Sequence, residues 1–261
     1  MPAFWLAMIL VGLGIAGFVL GRARAIHSAQ GDKRSLHSLP AYYGWNVTMM
    51  TLVPAFLIMA IWMVAQPIII DHRVSATIPE TAIAESATLD LMMSDVRRVA
   101  DGLDLAVSKG AMTAKDAGMI RTEFTDVRQM LGAVGVALGS NVGSETLSAA
   151  QSYRALTSAG NLAMTVVVIA AALAGFALSI LRTNLTFRAR NTVEAGIKAL
   201  LIAAASLAIL TTLGIVLSLI FNTIEFFKLY PMADFFFGLT WAPSFGGGSE
   251  LGILPLLWGT L

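Results

Sequence analysis

Apolar and polar positions fall in blocks along this chain, and the blocks predict helices. Four stretches carry no charged residue: residues 2–21, 42–66, 160–181 and 199–224. A bilayer's hydrocarbon core is about 30 Å thick and a helix rises about 1.5 Å per residue, so about 20 apolar residues cross it. Each stretch meets that length. Pro54 lies inside the second and predicts a kink, which membrane helices tolerate. Small residues crowd the first stretch (Gly12, Gly14, Ala16, Gly17), the third (Ala170, Ala172, Ala174, Gly175) and the fourth (residues 203–206). They let helix backbones approach closely, so these spans are expected to pack on protein.

Between the second and third stretches the pattern changes to helical amphipathicity. Over residues 79–108, Leu89, Met92, Met93, Val96, Val99, Ala100, Leu103 and Val107 recur on one face and charges take the other. Lys109-Gly110 marks the end of that helix. A second helix is expected from Thr113, with Asp116 in its first turn, where negative charge is favoured. Its stripe is Ile120, Phe124, Val127, Leu131, Val134 and Leu138, and residues 139–143 break it. Ser144, Glu145 and Leu147 open a third helix that runs on into the third span. The first two predict an antiparallel hairpin with a Leu/Met/Val core.

Composition sharpens this picture. The 261 residues are 57% apolar and 13% charged, against about 45–50% and about 25% in soluble domains. That balance excludes a disordered chain. A net charge of +1 leaves no footprint for nucleic acid, and the absence of cysteine excludes disulfides and thiolate-bound zinc. The charge is also unevenly spread. Residues 67–159 hold eleven of the sixteen acidic side chains and eight basic ones. Loops beyond about 15 residues usually carry structure of their own, so this segment is expected to fold.

Basic residues in short loops set the orientation. Arg22, Arg24, Lys33 and Arg34 lie between spans one and two, and Arg182, Arg188, Arg190 and Lys198 between spans three and four. Both loops therefore read as cytoplasmic. The amino terminus, residues 67–159 and residues 225 onward read as extracytoplasmic. The first stretch is not a secretory signal, because its arginines follow the apolar run instead of preceding it.

Catalytic motifs are missing. The sequence has no G-x-x-x-x-G-K-[ST] loop, no G-x-S-x-G and no H-E-x-x-H. His27, His37 and His72 are scattered, which predicts solvated loop residues and no metal site. Arg97-Arg98 is an adjacent basic pair that suits an anion, but charged helix faces are usually solvated. The same applies to Asp101 and Asp104. Asn46-Val47-Thr48 and Asn184-Leu185-Thr186 match the glycosylation sequon by chance, one at a membrane boundary and one on the cytoplasmic side. No ionisable residue sits inside the four apolar stretches, which argues against a proton relay built from them. Catalytic, cofactor-binding and metal-binding residues are therefore expected to be none.

After the fourth span come residues 223–241, rich in phenylalanine and lightly charged, which predict an interfacial helix. A loop follows, and residues 252–261 read as the start of a fifth span in a chain that stops inside a longer permease. The order is specific: a basic segment at 188–198, a span, the aromatic helix, Phe237-Gly-Leu-Thr-Trp241-Ala-Pro243, then Gly252-Ile-Leu-Pro255-Leu-Leu-Trp-Gly-Thr-Leu261. It resembles the start of the permease core of the phosphate ABC importer, the PstC-type subunit. Residues 1–187 resemble the amino-terminal extension that some bacterial members carry. The family's E-A-A coupling motif is not found; Glu194-Ala195-Gly196 echoes it at the wrong place.

The fold class expected is an all-α integral membrane protein with four transmembrane helices, an extracytoplasmic helical hairpin and the start of a fifth span. Its parts are 1–66, two spans with a basic loop; 67–159, the extracytoplasmic segment; 160–187, the third span; and 188–261, the start of the permease core. The resemblance implies a multi-pass subunit of a bacterial inner membrane, not an enzyme and without a cofactor. It also implies a second permease subunit, cytoplasmic ATPase subunits and a periplasmic phosphate-binding protein as partners in the lipid bilayer. A membrane sensor or accessory subunit is the alternative, but cytoplasmic segments of about 20 residues or fewer leave no room for a signalling domain.

Overall fold

The computed structural model describes residues 3–79, 88–122, 126–136, 142–244 and 247–260. The expected features at residues 80–87, Phe124, Leu138, residues 139–141, Phe245, Gly246 and Leu261 lie outside these. The chain divides into two compact units, Met1–Val193 and Glu194–Leu261.

The first unit contains α1 (Ala3–Ser28), α2 (Pro40–Ser75), α3 (Leu89–Ser108), α4 (Ala114–Ala117), α5 (Val127–Ala133) and α6 (Ser144–Arg182). The helix α7 (Ala189–Leu229) begins at its end and forms most of the second unit. Among the described residues four helices, α1, α2, α6 and α7, are long and apolar enough to cross a membrane. The protein is thus an all-α membrane protein, and the described residues of each expected span lie inside one of these helices. The helices run well past the spans because amphipathic turns continue them.

Three of the four pack together around Leu6, Leu10, Ala55, Met164, Val168 and Ala172. The helix α2 passes through two prolines, Pro54 and Pro67. Proline lacks an N–H, so Pro54 leaves the carbonyl four residues back, on Met50, without its helical donor. The α6 glycine Gly175 closes over that carbonyl: a Cβ there would stand 2.0 Å from the Met50 oxygen. Likewise a Cβ at Gly44 would stand 2.6 Å from the Phe18 carbonyl oxygen on α1. In the first span a Cβ at Gly14 would stand 2.8 Å from Leu52 and one at Gly17 3.0 Å from Val47, though Gly12 meets nothing, so the close approach through small residues expected for the first and third spans is present. In the fourth it is not: residues 203–206 are exposed.

The sequon match at Asn46 is consumed by this packing. Asn46 and Ser179 are buried, and the Asn46 amide donates to the Ser179 hydroxyl at 2.7 Å. Thr48 donates to the Gly14 carbonyl at 2.9 Å. Hydroxyl and amide contacts of this kind join helices where lipid offers no partner.

Between α2 and α6 the chain builds a small helical domain. Its core joins Val96, Val99 and Leu103 of α3, Leu131 of α5, Leu147 and Ala150 of α6, and Ile70 and Val74 of α2. Thr88 caps α3, accepting from the Leu91 N–H, so this helix begins at Leu89, later than the expected residue 79; Gly110 follows its end at φ +73°, as the sequence predicts. The expected helix start at Thr113 is present, and Thr113 and Asp116 close it as a reciprocal capping box.

The second helix of the hairpin is different. Instead of one run from Thr113, there is one turn, α4, then a break, and a new helix α5 capped by Asp126. The break is held from outside. The Gln151 side chain on α6 donates to the carbonyls of Ala117 and Ile120 at 3.1 and 3.0 Å, replacing a helical ladder. Val127 and Leu131 are nevertheless buried, as their stripe predicts.

The second unit departs further from expectation. Residues 223–229 continue α7, so the aromatic helix is short: α8 (Met232–Phe237). Phe226, Phe227, Tyr230, Phe235 and Phe236 stack on one another across the turn between them, with ring centroids 5.2–5.9 Å apart. The expected loop begins and ends in an antiparallel ladder of β1 (Trp241–Ala242) and β2 (Glu250–Leu251). The helix α9 (Leu254–Thr260) follows.

Candidate functional site

Two places gather polar chemistry, one in each unit. In the first unit it is the junction where the helical domain meets α2 and α6. Gln66, the last residue of the second apolar stretch, is its lowest member. Its Oε1 accepts from Trp62 Nε1 at 2.8 Å. Its Nε2 donates to Asn161 Oδ1 at 3.2 Å and to the Thr157 carbonyl at 3.3 Å. A buried amide is costly unless bonded, and here its donor and acceptor are both used.

Five residues further along α2, Asp71 accepts from Arg97 Nη1 of α3 at 2.9 Å. Tyr153, two turns before the third span, is near this pair. Burial pushes its phenol above the ordinary range, the Asp71 carboxylate adds to the shift, and Arg97 opposes it. On the other side of α6, Arg154 pairs with Asp104 of α3 and donates to the Ala114 carbonyl at 3.2 Å. The Arg154 side chain is 14% exposed and Asp104 58%, so the cation is the enclosed partner.

These bonds tie α3 and α4 to the ends of α2 and α6. Both Arg97–Asp71 sides are more than a third exposed, so the contact positions the helices more than it stabilises them. The predicted basic pair is thus split: Arg97 bonds a carboxylate, and Arg98 lies 3.7 Å from Asp95 on its own helix. Asp101 and Asp104 have separate surroundings, with Asp104 in the Arg154 pair. His27, His37 and His72 are each exposed, as expected, but His27 and His72 lie on α1 and α2 and not in loops, because those helices run on past the apolar stretches. Among the described residues no group of three or more His, Asp or Glu is placed to hold a metal.

Sequence reasoning missed Gln66, Asp71, Asn161 and the Asn46–Ser179 pair as interaction sites. Gln66 and Asp71 carry a weak signal: they are polar residues at and just past the end of the apolar run of α2. Asn46 and Ser179 carry none, because their bond spans 133 residues.

In the second unit, Phe237-Gly-Leu-Thr-Trp241 and Gly252-Ile-Leu-Pro255 come together. A Cβ at Gly252 would stand 2.3 Å from the Gly238 carbonyl oxygen, so the two backbones touch. The Gly252 N–H donates to the Thr240 carbonyl and the Ile253 N–H to the Phe235 carbonyl, both at 2.9 Å. Tyr230 completes the knot by accepting from the Leu251 N–H at 2.9 Å. A cleft of about 450 Å³ opens beside it, with Asp234 and Glu250 on its wall.

Residues 7–177 match the family described as phosphate ATP-binding cassette transporter. The chain belongs to that family. The match covers α1, α2, the helical domain and most of α6, whereas the motifs that first suggested a phosphate importer lie after residue 187. No curated protein and no solved structure matches the chain. The chain is accordingly a membrane member of a phosphate transporter family, with four apolar helices.

Proposed function

We propose that this chain is a PstC-type permease subunit of a phosphate ABC importer in a bacterial inner membrane. It forms part of the translocation path with a second permease subunit, and separate ATPase chains drive it from the cytoplasm. The reading is carried by one coincidence. The family match falls on residues 7–177, and the permease-core wording falls independently on residues 237–261. Two separate parts of the chain thus point to one transporter class. The chain contributes spans and gating surfaces, and ATP hydrolysis belongs to the partners, since no P-loop is encoded. A periplasmic phosphate-binding protein delivers the ion, and the helical domain on α2 and α6 stands on that side.

Purification of the tagged chain from its native membrane in mild detergent tests the assembly. We expect an ATPase subunit and a second permease to co-purify in fixed ratio. Recovery of the chain without any ATPase subunit contradicts the reading.

Orientation is tested separately, and the lack of cysteine makes labelling clean. Ser108→Cys is expected to react with a membrane-impermeant maleimide on intact spheroplasts. Ser35→Cys and Thr186→Cys are expected to react only after lysis. All three positions are exposed. The reverse pattern would place the helical domain in the cytoplasm.

A further inference from the structure

Beside the α2–α6 contact runs a groove of about 510 Å³ that the transport reading does not use. Its floor is made by small residues, Ala65 of α2 and Ala159, Gly160 and Ala163 of α6. Its sides are Ile58, Ile61, Ile69 and Trp62, and Arg73 stands at one end. From Ile58 to Arg73 the groove follows about 22 Å of helix. One leaflet of hydrocarbon is about half of a 30 Å core, roughly 15 Å, so a groove that starts at Ile58 within the apolar stretch carries its Arg73 end past the hydrocarbon to the water boundary.

Three observations select the occupant. The lining is apolar except for Gln66, whose amide is already bonded, and Arg73. Arg73 is exposed, and among the described residues no carboxylate pairs with it. The groove runs from Ile58, inside the charge-free stretch of α2, to Arg73, seven residues beyond its end. A single hydrocarbon chain with an anion at its boundary end matches the apolar lining, the depth and the charge. Apolar clefts of this size with one placed polar group are typical ligand sites.

We propose that the groove seats one acyl chain of a phospholipid whose anionic headgroup is met by Arg73. The lipid would fill the face beside Gly160 and brace α2 against α6 under the helical domain.

The test uses Trp62, which lines the groove. In the full chain, Trp5, Trp45, Trp241 and Trp258 are replaced by phenylalanine, and helicity is checked by circular dichroism. The protein is placed in phosphatidylcholine nanodiscs containing acyl-brominated phosphatidylglycerol or acyl-brominated phosphatidylcholine at equal fraction. A basic side chain near the surface favours an anionic lipid by about fivefold, so brominated phosphatidylglycerol should quench Trp62 about that much more strongly. Arg73→Gln should equalise the two lipids, and Arg73→Lys should keep the difference. Ala163→Phe, which fills the floor, should reduce quenching by both. Equal quenching by the two lipids with Arg73 present overturns the proposal. So does absence of quenching by either, which would mean that protein covers the groove, and so does quenching unchanged by Ala163→Phe.

Discussion

Gly175→Leu is expected to separate α2 from α6 and lower the midpoint of thermal unfolding in detergent more than any other single change in the bundle. The reason is local. A Cβ at this position would lie 2.0 Å from the Met50 oxygen and 2.9 Å from its carbonyl carbon. These are backbone atoms, so no side chain can swing away. Overpacking a tight core costs about 1–3 kcal/mol, occasionally more, and a backbone collision belongs at the upper end. Moving α6 outward would also weaken the Asn46–Ser179 bond and uncover the carbonyl that Pro54 leaves without a helical donor. Gly12→Leu is the control, since a Cβ there meets nothing within 4 Å. Equal midpoints for the two variants would contradict the packing described for this face.

Leu103→Ala should unfold the helical domain and leave the membrane bundle in place. Leu103 is fully buried at the centre of the cluster that joins α3 to α5, α6 and the end of α2. Removing a buried leucine side chain costs about 2–5 kcal/mol through lost burial and the cavity left behind. The domain is small, and few neighbours can collapse into that space. Hydrogen exchange should then accelerate across residues 89–108 and 127–133, while the amides of α1 and of residues 160–181 stay protected. Uniform acceleration through the bundle would show that the two parts unfold together. Unchanged exchange would show that the cluster around Leu103 is not the domain's core.

The contrast between these two sites explains how much the sequence discloses. Leu103 is legible because its stripe repeats at helical spacing with charges opposite, and burial follows from the pattern alone. The four spans are legible for a similar reason, since length and the absence of charge are local properties. Thr113 and Gly110 mark helix ends through side-chain and backbone chemistry within a few residues. Gly175 is legible only as a small residue. That it meets the carbonyl freed by Pro54 depends on which turn of α6 faces which turn of α2.

The misreadings have the same origin. The stripe from Ile120 to Leu138 has helical spacing, yet the helix breaks after Ala117, because Gln151 of α6 binds the carbonyls that a continuous helix would have used. The β1–β2 ladder is two residues per strand, below any periodicity, and it closes through contacts between Gly238 and Gly252. Arg97 looks like half of an anion-binding pair until Asp71, at the far end of α2, is brought beside it. In each case the deciding partner lies in another helix.

The functional reading also joined two kinds of signal. Apolar blocks identify membrane helices of any purpose and name no substrate. The motif wording after residue 236 supplied phosphate as an expectation, and the family to which residues 7–177 belong carries the same ion in its description.

The central claim is that this chain serves phosphate import, and uptake tests it most directly. Radiolabelled phosphate entry should be measured at micromolar phosphate in cells with the gene deleted and in the same cells carrying it on a plasmid. The account predicts that deletion abolishes high-affinity uptake and that the plasmid restores it, with sulfate uptake unchanged in both. Phosphate uptake that is the same with and without the chain would contradict it.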